Sequence, residues 1–184
     1  MIILNLEIDG EEKSYEIPTS WSEVTVGQAA DIQNISVENL TIIEKIVKIL
    51  TILTPGISED DIMLMSPEQF NQISEQLTFI SNEIQGEPVN FLTIGGEEYF
   101  VKKDFTKLTM GEIISVDTIM KQTDNDITRA LPKMLCIFLR KKKENGELES
   151  FKSSFMQREE MFKGVIITDV AKLFDFFLNG EVSS

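Results

Sequence analysis

An internal repeat limits what this chain can fold into more than any other feature. "LTMGE" (108–112) echoes "VTVGQ" (24–28), each reading apolar–Thr–apolar–Gly–acid or amide, with Thr25 and Thr109 84 positions apart. At the same offset Tyr15 matches Tyr99, Ile17 matches Val101 and Trp21 matches Phe105. Upstream of each echo lies a hairpin pattern. "ILNLEI" (3–8) runs through "DGEE" to "KSYEI" (13–17), and "NFLTI" (90–94) runs through "GGEE" to "YFV" (99–101). Asp-Gly and Gly-Gly between alternating apolar residues favour two-residue turns, because positive φ there suits the strand twist. Before the turn the offset becomes 86, pairing Leu6 with Leu92 and Ile8 with Ile94, as if the second copy lacked Lys13 and Ser14.

Each echo also predicts a helix start. Thr25-x-x-Gln28 and Thr109-x-x-Glu112 read as capping boxes, in which the threonine oxygen accepts from the third helical amide and the Gln or Glu reaches back. Trp21 and Phe105, four residues earlier, are expected to pin the incoming chain against the apolar face of the new helix. Gly27 and Gly111 weaken a helix by up to about 1 kcal/mol against alanine, so their recurrence points to close backbone packing.

Beyond the echoes, "VENLTIIEKIVKILTIL" (37–53) carries apolar residues at helical spacing up to Pro55-Gly56. A short helix in "SEDDIMLM" (58–65) and a longer one from Ser66-Pro67-Glu68-Gln69 follow, the latter with proline at its first position and a capping-box partner. "DITRALPKMLCIFLR" (126–140), "SFMQREEMFKG" (154–164) and "TDVAKLFDFFLNG" (168–180) take the same order in the second half. The expected fold is therefore α+β and mostly helical. It is an internally duplicated module of a β-hairpin followed by several helices, with copies at 1–86 and 87–184 and a boundary near Gly86-Glu87-Pro88.

Composition narrows the chemistry. With 31 acidic and 17 basic residues the formal charge is −14, which disfavours nucleic acid as a partner, since a phosphate backbone selects Lys and Arg surfaces. There is no histidine, which removes Ser-His-Asp and Cys-His nucleophile systems and imidazole zinc sites. The single cysteine, Cys136 in "LCIFL", reads as a small buried hydrophobe and cannot form an internal disulfide. "MIILNLEIDGEE" lacks the basic start of a signal peptide, and "LTIIEKIVKILTIL" (40–53) is broken by Glu44, Lys45 and Lys48 and cannot span a bilayer. A soluble intracellular chain is expected.

Few residues invite a functional reading. "SEDD" (58–61) and "DND" (124–126) could suggest a metal, but neither continues as an EF-hand loop and acids after a cap suit a first helical turn. "RKKKENGE" (140–147) is the only basic cluster; it reads either as the solvated end of a helix or strand before an Asn-Gly turn, or as a contact for phosphate or an acidic protein surface. The stripe Phe151, Phe155, Met156, Met161, Phe162, Phe174, Phe176 and Phe177 reads mostly as core, with some members free to face a partner.

The stretches "YEIPTSWSEVTVGQ" and "ILTPGISEDDIMLMSPEQFNQI" resemble small structural and assembly proteins of tailed bacteriophages. "QREEMFKGVIITDVAKLFDFFL" (157–178) is similar to an R-x-x-x-F…D-V-A-x-x-x-x-F-F-L signature in the same kind of protein. The resemblance implies a non-enzymatic virion protein of the tail or neck, assembled in the host cytoplasm and not secreted. Its partners would be other phage structural proteins, including copies of itself in a ring or oligomer. A soluble tail-assembly chaperone absent from the finished particle is the alternative, and an enzyme using carboxylates with a divalent metal is a third class. No cofactor, metal, small-molecule substrate, nucleic acid or membrane partner is expected. The candidate partner contact comprises Arg140, Lys141, Lys142, Lys143, Phe151, Phe155, Arg158 and Phe162.

Overall fold

The computed structural model describes residues 1–171 except 9, 10, 37, 88 and 103. Phe174, Phe176, Phe177, the Asp9-Gly10 pair and the end of the last expected helix lie outside the described residues. The chain is α+β and mostly helical, with two small antiparallel sheets. It runs β1 (Ile2–Ile8), β2 (Glu11–Ile17), a 3₁₀ turn (Trp21–Glu23), α1 (Val26–Ser36), α2 (Ile42–Leu53), α3 (Glu59–Met63), α4 (Pro67–Gln76) and a 3₁₀ turn (Leu77–Ser81). It continues with β3 (Phe91–Ile94), β4 (Glu97–Val101), a 3₁₀ turn (Phe105–Lys107), α5 (Met110–Gln122), α6 (Ile127–Phe138) and β5 (Leu139–Arg140). A 3₁₀ stretch (Ser153–Arg158), α7 (Glu159–Lys163) and α8 (Ile167–Val170) complete the described order.

The order hairpin, 3₁₀ turn, capped helix, second helix thus occurs in both halves. The second hairpin turns on Gly95 and Gly96, at φ +59° and +80°, the left-handed pair that a tight turn between twisted strands needs. Both threonine caps form. Thr25 N–H donates to Gln28 Oε1 at 3.0 Å and Gln28 N–H to Thr25 Oγ1 at 3.2 Å, and Thr109 and Glu112 do the same. Boxes at Ser58/Asp61 and Ser66/Gln69 start α3 and α4, so the "SEDD" carboxylate Asp61 is a cap partner. Asp126 of "DND" caps α6 by accepting from Arg129 N–H.

Register corrects the alignment of the hairpins. Tyr15 pairs with Leu4 and Tyr99 with Leu92, so a match of Tyr15 with Tyr99 sets Leu92 against Leu4 and not against Leu6. A hairpin closed by a two-residue turn can lose residues only in cross-strand pairs, so two residues missing from the return strand require two missing from the outgoing strand. Trp21 also differs from expectation. Its ring meets Phe79 edge-on at 5.4 Å and its indole N–H donates to Asn82 O at 3.0 Å, which ties down the 77–82 segment. Gly27 does permit a close approach, since a Cβ there would lie 3.0 Å from Lys163 Cβ. Gly111 does not, as its nearest neighbour would be Phe151 at an ordinary 3.6 Å.

α6 is the central element. It is buried from Ala130 to Phe138 apart from Lys133, as an apolar sequence on every face requires, and packs against α1, α5 and α7. One continuous buried cluster takes residues from both halves, from Leu6, Ile17 and Leu50 to Leu135, Phe162 and Val170. Backbone bonds cross between the halves as well: Val26 N–H donates to Val165 O at 2.7 Å and Ile167 N–H to Val24 O at 2.9 Å. The two halves share one core. β4 pairs with β5, which brings the end of α6 and the basic run 140–143 against the second hairpin.

Candidate functional site

The basic run and the aromatic stripe do come together, but largely inside the molecule. Leu139 and Arg140 extend α6 into the sheet opposite Val101 and Phe100, and the chain then reverses at Asn145-Gly146, where Gly146 has φ +81°. Arg140 is 1% exposed. Its Nη2 donates to Glu112 Oε1 at 3.1 Å and its Nη1 to Cys136 O at 2.8 Å. The guanidinium lies 5.1 Å from the Phe151 ring centroid and 5.0 Å from that of Phe155. Arg158 follows at 3.9 Å over Phe155 and 5.6 Å over Tyr99, and its Nη1 pairs with Glu149 at 2.6 Å. Cations and rings therefore alternate through a stack that joins α6, β4 and the 3₁₀ stretch 153–158.

Glu112 sits at the centre, as buried as Arg140. Its Oε2 accepts from Thr109 N–H at 2.7 Å and Thr109 O–H at 2.9 Å, and Lys102 Nζ lies 2.8 Å from each carboxylate oxygen. Burial alone would push this carboxyl up, but the hydrogen bonds from Lys102 and Thr109 and the Lys102 charge outweigh it and hold the pKa at about 2. Burial pulls Arg140 below the usual guanidinium range while Glu112 pushes it back, and a guanidinium starts so high that it stays charged. The carboxylate is ionised and surrounded by donors, which suits a clamp between α5, β4 and β5 rather than a proton acceptor.

The sequence-derived contact must be corrected on this geometry. Arg140, Phe155 and Phe162 are buried, so they serve the interior and cannot form an exposed contact in this structure. Phe151 and Arg158 are half-buried in the stack, and Lys141 is half-buried 5.4 Å from the Tyr99 ring and 3.3 Å from Glu97. Lys142 and Lys143 remain exposed, the former with its Nζ 3.7 Å above the Phe100 ring. Cys136 is buried and its thiol is pushed up to about 12, chiefly by desolvation, so it stays protonated and unreactive.

Sequence reasoning did not single out Lys102 or the burial of Glu112. A signal was present in the sequence echo between the halves. At the offset of 84, Glu112 stands opposite Gln28 and Lys102 opposite Pro18, so the second half carries charge where the first carries none at both positions. In the first half the neutral Gln28 makes the same cap and spends its amide N–H₂ on Ile52 O at 3.0 Å.

The clamp fixes one face of α5 and leaves the other outward. Met110, Ile113 and Ile114, at i, i+3 and i+4, are 68%, 44% and 59% exposed. Among the described residues there is no group of three or more His, Cys, Asp or Glu side chains that could hold a metal, and no helix long and apolar enough to cross a membrane.

The depressed Glu112 pKa predicts acid sensitivity. A carboxyl at about 2 when folded and 4.5 when unfolded contributes stability that is fully present above about pH 4.5 and is lost as pH falls towards 2. Urea midpoints across that window should fall more steeply for the wild type than for Glu112→Gln. Parallel curves would remove Glu112 as the acid-labile group. No family model, no curated protein and no solved structure matches the chain.

Proposed function

We propose that the chain is a non-enzymatic structural or assembly protein of the tail or neck of a tailed bacteriophage, acting through protein–protein contacts. The observation that carries the contact role is the α5 surface. Three large apolar side chains stand out from one helical face, while a buried ion pair fixes the opposite face to the core. Exposed apolar side chains grouped on a rigid element are what a partner surface requires, whereas scattered ones need no explanation. The phage assignment rests on the sequence resemblance, and the same reading takes the two halves as diverged copies of one module. Its partners would be other virion proteins, including further copies of this chain, and its place the assembling particle in the host cytoplasm.

Replacing Met110 and Ile114 together by glutamate tests the reading, because both side chains point outward and the fold should persist. The variant is expected to keep its denaturation midpoint within about 0.5 kcal/mol of wild type and to lose incorporation into particles, read by mass spectrometry of purified virions. Normal incorporation of a folded variant would remove the α5 face from the account. Absence of wild-type peptides from purified particles, with a continued requirement during assembly, would make the chain a tail-assembly chaperone instead.

A further inference from the structure

Among the described residues the second sheet has an open side. Its strand order is β3-β4-β5, so β3 is an edge. Ile94 and Glu97 flank the two-residue turn and form a hydrogen-bonded pair, as does Leu92 with Tyr99. The alternation leaves the main-chain N–H and C=O groups of Phe91 and Thr93 pointing away from β4. Beside them runs a groove of about 690 Å³, with β3 on one side and Met161, Val165 and Ile166 on the other. Natural edges are usually blunted by a charge, a proline or a covering loop, and β3 reads Phe-Leu-Thr-Ile with Phe91 44% exposed.

Charge decides what fits there. Among the described residues the one ionisable side chain lining the groove is Asp169, which is exposed and has no ion-pair partner among them. Among the described residues the chain's own further strand edges are those of the first hairpin and of the two-residue β5, and a second copy's β3 would bring its own Asp169 to the groove. By the same alternation the outward groups of the first hairpin include those of Glu7 on β1 and of Glu12 and Glu16 on β2, in a molecule of charge −14. A second copy of that hairpin would set carboxylates against Asp169. We propose that β3 receives an extended segment of a different polypeptide, added as a strand, apolar at alternate positions and carrying a lysine or arginine that meets Asp169. The main chain of Phe91 and Thr93 supplies the pairing, and the Met161–Ile166 wall takes the alternate side chains. The proposal goes beyond the role given above and holds or fails whatever particle the protein belongs to.

The probes are capped six-residue peptides of alternating valine and threonine with a lysine at one end or the other. Matched peptides carry glutamate in place of lysine, or N-methyl groups on alternate amides. Binding to the full chain is read by fluorescence anisotropy. At least one lysine peptide should bind saturably and about tenfold tighter than its glutamate counterpart, and N-methylation should remove the binding. Asp169→Asn should abolish the lysine preference while leaving strand binding in place. Thr93→Pro should weaken every peptide at least about tenfold, because it deletes an outward N–H while sparing the ladder to β4. Should that variant fail to fold, the N-methylated peptides on wild type decide the same point. No saturable binding, equal binding of N-methylated peptides, or a lysine preference that survives Asp169→Asn would each overturn the proposal.

Discussion

Glu112→Ala is expected to cost about 3–5 kcal/mol of stability, because it leaves a guanidinium buried without its counter-charge. Arg140 cannot turn to water. It is 1% exposed and held between the Phe151 and Phe155 rings. Lys102 is partly exposed and can rehydrate, so the penalty falls mainly on Arg140. The substitution also removes the reciprocal half of the α5 capping box, the acceptor for Thr109 N–H, while Thr109 Oγ1 still accepts from the backbone N–H at 112. Glu112→Gln separates the two effects. Glutamine still accepts from Thr109 N–H, as Gln28 does from Thr25, so the cap is kept, while its NH₂ takes the place of the oxygen that accepts from Arg140 and Lys102 and the charge is lost. Combining Glu112→Gln with Arg140→Met should recover much of the loss, since an apolar replacement of a buried pair is often neutral or stabilising. Denaturant midpoints of the three variants check this. An alanine variant within about 1 kcal/mol of wild type would mean that water reaches Arg140 and that the clamp is not closed.

The features legible in the sequence are those whose cause is local. Gly95-Gly96 must form a left-handed turn wherever the hairpin sits, and a Thr-x-x-Glu box needs only its own four residues. The same rule placed the starts of α3 and α4. It also contained the start of α2, which begins at Ile42 behind a Thr41/Glu44 box rather than at 37. What could not be read depended on partners far along the chain. Trp21 finds Phe79 and Asn82 about 60 residues on. Arg140 finds Glu112 28 positions back. Four consecutive cations look alike as a run of charge. The sheet splits them, turning Arg140 into the core while Lys142 lies over Phe100 and Lys143 stands at the solvated turn.

Phe162 carries the second large effect, and its substitution separates a core residue from a partner contact. The side chain is fully buried on α7, and its ring meets Tyr99 edge-on at 5.4 Å. That contact holds α7 to the second hairpin, and Tyr99 in turn lies under Lys141 and Arg158. Phe162→Ala should cost about 3–5 kcal/mol, the loss from deleting a buried aromatic that its surroundings cannot replace. Lys142→Ala is the control. It removes an exposed cation from an aromatic face and should cost no more than about 1 kcal/mol. If Phe162 is core, its loss lowers the denaturation midpoint of the isolated protein, and any assembly defect follows that drop and is relieved at lower temperature. If Phe162→Ala leaves the midpoint unchanged yet abolishes incorporation into particles, the side chain faces a partner after all. The interior placement of the aromatic stripe would then be wrong, and with it the reason for moving the proposed contact from residues 140–162 to the outer face of α5.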